Sequence, residues 1–199
     1  MTGVDSQLQA VRERLRHLMK THQQQLDAQQ LTIQQGELVI RQGDRANAVM
    51  LVERGRLSVE LERDGAEPLE LATVEAGELV GEMGLFGDSH HTAAVRAREG
   101  PVDVLRFNSD ALLQYSLFDS ELVLELLALS SARCRAGNLV ISQLLDGLAA
   151  LVENAPEQLD AVCTELERGP QSLRTAARQF RALGENAHAA AQPQRAHLG

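Results

Sequence analysis

The residues whose types and spacing could do chemistry lie in one stretch, Gly81-Glu82-Met83-Gly84-Leu85-Phe86-Gly87-Asp88-Ser89-His90-His91-Thr92-Ala93-Ala94-Val95. Glycines at 81, 84 and 87 let a ligand approach the backbone with no Cβ in the way. Glu82 sets a carboxylate among apolar neighbours, where it can accept a hydrogen bond from a ligand hydroxyl. His91-Thr92 then leads into a small-residue run that reads as a strand. Together these are the parts of a pocket for a small phosphorylated ligand.

Other chemistries are not indicated. No Ser/His/Asp, Cys/His or metal-ligand constellation suggests an enzyme. Cys134 and Cys163 fall on separate predicted helices, away from any Cys or His at metal-finger spacing, and read as buried reduced thiols. His90 and His91 are adjacent on extended chain, so their side chains point to opposite faces and do not chelate one ion. A formal net charge of −9 argues against a general nucleic-acid surface. No apolar run approaches the roughly 18 residues of a membrane helix, and Met1–Ala10 lacks the layout of a signal peptide, so the expected location is the cytoplasm.

The elements that must position the stretch follow from periodicity. Residues 4 to 26 read as an amphipathic helix, with Val4, Leu8, Val11, Leu15, Leu18 and Leu26 at three- and four-residue steps and His22 filling the missing place. That stripe suits a short coiled coil or packing on the chain's own domain. From Leu31 to Phe107 the period becomes two, with turn chemistry at Gly36, Gly43, Gly55, Asp64-Gly65 and Gly77. About eight short strands fit, which indicates an antiparallel double-sheet roll. Ser109 or Asp110 caps a short helix through Leu117, and Ser120-Glu121 opens a long one to Val152 with its stripe at Leu122, Leu126, Leu129, Ala136, Val140, Leu144, Leu148 and Leu151. Gly137 in that helix costs about 1 kcal/mol against alanine and marks a hinge or a close helix crossing. Pro156 starts a further helix, Gly169-Pro170 ends it, and Ser172 to Leu183 forms the last. The expected organisation is an N-terminal helix over 1–28, a roll with its long helix over 29–152, a helical extension over 153–183 and a disordered tail over 184–199. The fold class is α+β: an antiparallel β jelly-roll with flanking α-helices.

Strands, then a short and a long helix, with Gly81-Glu82-Met83-Gly84-Leu85-Phe86 between two late strands, resemble the cyclic nucleotide-binding domain. This is the sensory module of catabolite-activator-type regulators, kinase regulatory subunits and some ion channels. The resemblance runs from Leu31 to Arg135 and rests also on Gly36-Glu37, Arg41-Gln42-Gly43-Asp44, Gly55 and Ala76-Gly77-Glu78. It implies that the Gly-Glu segment is a phosphate-binding cassette, a short helix whose backbone N–H groups meet the cyclic phosphate. Glu82 would accept from a ribose 2′-hydroxyl, for about 1.5–3 kcal/mol, and Thr92 with the N–H of Ala93 would contact phosphate oxygens. The implied ligand-binding set is Gly81, Glu82, Met83, Gly84, His91, Thr92 and Ala93. Asn138 and Ser142 of the long helix are candidates to cap the base.

The departure from the family pattern is His91, which stands where the family usually carries an arginine that pairs with the cyclic phosphate. Imidazole lacks arginine's permanent charge and fork geometry, and the exchange costs about 2–4 kcal/mol of binding. Three readings of the site follow: a cassette kept for packing alone, a cyclic nucleotide held weakly or with His91 partly protonated, or a different ligand such as a less charged nucleotide or a dinucleotide. The residues after 153 lack the strands and basic helix of a winged helix-turn-helix, so no DNA partner is expected. The implied protein is a non-catalytic sensor with no cofactor beyond a cyclic nucleotide ligand and no membrane partner, homodimeric or bound to a partner protein through its helical flanks. The alternative is a degenerate fold serving as a ligand-independent interaction or dimerisation module.

Overall fold

The computed structural model describes residues 3–85 and 89–191 and divides between Cys134 and Arg135 into two compact units. In the first, α1 (Gly3–Thr21) precedes β1 (Gln29–Ile33), β2 (Leu38–Ile40), β3 (Ala48–Arg63), β4 (Ala66–Glu75) and β5 (Leu79–Val80). A 3₁₀ turn (Glu82–Leu85), β6 (Ala94–Asn108) and α2 (Ser109–Ser116) follow, and α3 (Ser120–Val152) leads on into the second unit. The sheet is antiparallel and not closed, in the order β1-β6-β3-β4 with β2 on β6 and β5 on β3. This is the jelly-roll with flanking helices that the alternating periods predict.

Six strands stand where about eight fit the pattern. Arg54-Gly55-Arg56, which reads as a turn, lies inside the 16-residue β3, where three register shifts against β6 bend the strand without ending it. Gly55 is at φ +88° with Val102 and the Pro101 carbonyl against it, so the position takes no side chain comfortably. Asp64-Gly65 does form the β3–β4 hairpin, and Pro68 is tolerated because β4 is an edge strand.

The continuous apolar run Ala48–Val52 has a direct cause: β3 is buried on both faces. Ala48, Met50 and Val52 pack inside the roll with Ile40, Val80, Val95 and Val104. Val49 and Leu51 turn the other way and join Leu105 and Phe107 beneath the helices. On that side lie Leu15, Met19 and Leu26 from the N-terminal segment, Leu112 of α2, and Leu122, Leu126 and Leu129 of α3. The N-terminal stripe is therefore used on the chain's own roll, with Met19 as a member that the spacing did not pick out. Arg12–Glu78 at 2.6 Å, Lys20–Glu53 at 2.7 Å and Arg14–Glu125 tie the helix down. The helix ends at Thr21, short of 26, and His22 shares a 2.8 Å hydrogen bond with the Tyr115 hydroxyl.

Asn108, one residue before the expected cap, closes the start of α2 by accepting from the amides of Asp110 and Ala111. In the second unit α3 is followed by α4 (Pro156–Leu166) and α5 (Gln171–Ala191). Ala150, Leu159, Cys163, Leu166 and Ala177 form the core of that unit. Nothing lies within 4 Å of a Cβ placed on Gly137; the close crossing is at Gly147, where a Cβ would overlap the Phe180 ring. The last helix continues past Gly184 to Ala191, so 184–191 is not the disordered tail that composition suggests, and 192–199 lie outside the described residues. Cys163 is buried and donates to the Ala177 carbonyl at 3.4 Å, and burial raises its thiol pKa. Cys134, expected to be buried, is exposed because it faces away from the Leu122–Leu129 stripe. Among the described residues no helix is long and apolar enough to cross a membrane.

Candidate functional site

β5 pairs with Met50 and Leu51 of β3 and delivers the chain to Gly81. There φ is +90°, and a Cβ would sit 2.9 Å from the Ala48 carbonyl oxygen, so only glycine fits. The next four residues form a 3₁₀ turn. Gly84 lies against the Ala46 side chain with no room for one of its own. Phe86, Gly87 and Asp88 of the motif lie outside the described residues.

Glu82 has no exposed surface. Arg133 of α3 donates from Nη1 to Glu82 Oε1 and from Nη2 to the Leu79 carbonyl oxygen, holding both ends of the turn's entry. Glu82 Oε2 is buried and has no hydrogen-bond partner among the described residues. A carboxylate oxygen in that condition costs free energy until a donor reaches it. The resemblance did not single out Arg133. Its signal was in the stripe: after Leu122, Leu126 and Leu129, the next position at a four-residue step holds an arginine where an apolar residue belongs.

His91 faces the same glycines. A Cβ on Gly81 would lie 3.5 Å from His91 Cε1, and one on Gly84 would lie 3.6 Å from Nδ1. Its amide donates to the Asp44 carbonyl at 2.9 Å and its carbonyl accepts from the Gly43 amide at 2.8 Å, so the segments 41–47 and 89–91 are laced together. Burial lowers the His91 pKa below its ordinary value of 6.5, partly offset by the Asp44 charge. The imidazole is therefore neutral at neutral pH. Of the remaining candidates, Met83 is half-exposed, Thr92 is exposed and Ala93 is intermediate, just ahead of β6. Asn138 and Ser142 fall past the division at Cys134, in the second unit, and both are exposed.

A pH effect follows from His91. The unfolded chain binds a proton near pH 6.5 while the folded chain resists it. The unfolded state therefore holds more protons in the window between the lowered value and 6.5, and stability rises with pH through it. The contribution is complete above that window and is lost as pH falls through it. Urea midpoints at about pH 7.5 and about pH 5.5 are expected to differ more for the native chain than for His91→Gln.

Beside the cassette a cavity of about 370 Å³ opens between β2, β3 and β6, with Arg41, Arg45, Arg106 and His91 on its wall. Among the described residues no group of three His, Cys, Asp or Glu could hold a metal ion.

Comparison with known proteins bears on this geometry. Residues 30–116 match the model of the cyclic nucleotide-binding domain. The Cyclic AMP receptor protein of Thermus thermophilus is 28% identical over 167 residues, which span 76% of this chain and 74% of that protein. The cAMP-dependent protein kinase type II regulatory subunit of Drosophila melanogaster is 36% identical over 67 residues, and the chain spans 18% of its length. In fold, the crystal structure of the Thermus thermophilus Catabolite Activator Protein superposes with a TM-score of 0.58 at 23% identity, covering 86% of this chain and 82% of that one. The segment that matches the cyclic nucleotide-binding domain, residues 30–116, takes in the strands of the roll from Gln30 on, the 3₁₀ turn, Glu82 and His91.

Proposed function

We propose that this chain is a non-catalytic regulatory protein that binds a cyclic nucleotide of the cAMP type at Gly81, Glu82, Met83, Gly84, His91, Thr92 and Ala93. The bound state is read by α3 through Arg133. The observation that carries this reading is the divided state of Glu82, with Oε1 held by the α3 arginine and Oε2 buried without a partner among the described residues. A ribose hydroxyl donating to Oε2 would satisfy it and draw charge density from the bond to Arg133, coupling ligand to helix. Calorimetric titration with cAMP and cGMP, on the native chain and on Glu82→Gln, tests it. Heat on the native chain that weakens in the variant is expected; no heat with either up to millimolar concentration removes the reading.

The output that the helices support is a second copy of the chain. Along α3, Leu124, Leu127, Ser131, Cys134, Asn138, Ile141, Leu145, Leu148 and Val152 follow alternating three- and four-residue steps, the a and d places of four heptads. All nine are exposed, and the six apolar ones are between 47% and 87% exposed. The flanking e and g places hold small residues such as Ala128, Ser130, Gly137, Ser142 and Ala149, and Arg135 is the one charged residue at those places between 128 and 149. Asn138 at an a place is the type of residue that fixes register in a parallel pair. Sedimentation is expected to give a dimer for the native chain and a monomer for Leu145→Glu/Leu148→Glu. Leu139→Glu, equally exposed but off the seam, is expected to leave the mass unchanged.

A further inference from the structure

We propose that the cavity walled by Arg41, Arg45 and Arg106 is an anion site that selects a nucleotide with two negative phosphate charges over a cyclic mononucleotide with one. The inference rests on the reading of the cassette as a nucleotide site and makes cAMP-type mononucleotides its weaker ligands.

Charge supplies the first argument. The chain carries a net charge of −9, yet three arginines meet at one cavity against the single carboxylate of Asp44. Two positive charges are left for a ligand to match. Pairing supplies the second. Elsewhere in the roll four arginines hold carboxylates, Arg54 with Asp103, Arg56 with Glu75, Arg96 with Glu60 and Arg98 with Glu70, and Arg63 donates to the Glu67 carbonyl. Among the described residues Arg41, Arg45 and Arg106 pair with none, and the Arg106 side chain donates only to Asn47 Oδ1, at 3.4 Å.

Register supplies the third. Val102 and Val104 of β6 point into the roll and are fully buried there, and Arg106 is the next residue on the same face. A guanidinium at an inward position is costly unless an anion meets it. Guanidinium groups bind phosphate oxygens in a bidentate way, so arginines arriving from the β2–β3 connection and from β6 can grip separate phosphates. Ile40 and Met50 provide an apolar wall, and about 370 Å³ lies within the usual range for small-molecule sites. His91 borders both this cavity and the cassette, which places the arginines where a ligand seated on Glu82 would extend. The arginines thus add fixed positive charge beside His91 for a second phosphate, beyond the one seated on the cassette.

Calorimetry on the full chain with cyclic di-GMP and cyclic di-AMP, against cAMP and cGMP, tests the inference, with circular dichroism confirming that each variant is folded. A cyclic dinucleotide is expected to bind about tenfold or more tighter than either mononucleotide. In Arg41→Gln/Arg106→Gln that preference is expected to vanish while mononucleotide affinity changes by less than about threefold. In Glu82→Gln all nucleotides are expected to weaken together. Mononucleotides binding as tightly as dinucleotides, or a preference that survives loss of the arginines, overturns the inference and leaves the cassette reading in place. Absence of binding by all four probes overturns both.

Discussion

An Arg133→Met variant is expected to be less stable than the native chain by about 3–5 kcal/mol, the range for removing one partner of a buried ion pair. Glu82 has no access to water, and Arg133 is its only described partner, so the variant leaves a carboxylate with both oxygens unsatisfied. The Leu79 carbonyl loses its donor at the same time. Glu82→Met/Arg133→Met is expected to recover most of the loss, because an apolar pair of similar volume removes the stranded charge. Arg133→Lys should fall between, since one ammonium serves the two acceptors less well than a guanidinium fork. The chain has no tryptophan, so urea unfolding is best followed by circular dichroism. A loss below about 1 kcal/mol in Arg133→Met would show that the pair does not anchor the turn.

The second large effect concerns binding. His91→Arg is expected to tighten cAMP binding about tenfold or more, equivalent to about 1.4 kcal/mol or more. The side chain at 91 already lies beside Gly81 and Gly84, so an arginine needs no new backbone path to face a phosphate seated there. What changes is the charge: burial keeps the imidazole neutral, whereas guanidinium remains ionised. Titration of both proteins under one buffer condition decides it. Equal affinities would mean that the phosphate does not rest against position 91.

The parts of this architecture that the sequence reveals are those with local causes. Asp64-Gly65 between alternating runs sets a hairpin, and Gly81 is needed because the chain turns at positive φ against a carbonyl. Glu82 stands out as a lone carboxylate among apolar residues. The start of α3 was readable from Ser120-Glu121, while its cap falls one residue earlier, the Asp119 carboxylate accepting from the Leu122 amide at 3.0 Å. Arg133 was not readable as a site residue, since its partner is 51 residues away and only the packed helix brings them together. The three cavity arginines come from two separated segments, and their lack of carboxylate partners is a property of the folded chain. The strand count differed because Gly55, a turn residue by type, here serves a bend within a strand held by long-range pairing to β6.

The two-sided burial of β3 separates the unit of homology from the unit of folding. The family match begins at residue 30 and stops at 116. Val49, Leu51, Leu105 and Phe107 rest on Leu15, Met19 and Leu26 before that segment and on Leu122, Leu126 and Leu129 after it. A fragment trimmed to the matched boundaries would keep the sequence signature and, Leu112 apart, lose the helical cover over one face of its sheet. Expression of such a fragment should yield sticky, aggregation-prone material, while one spanning residues 3–134 should stay in solution as a folded domain.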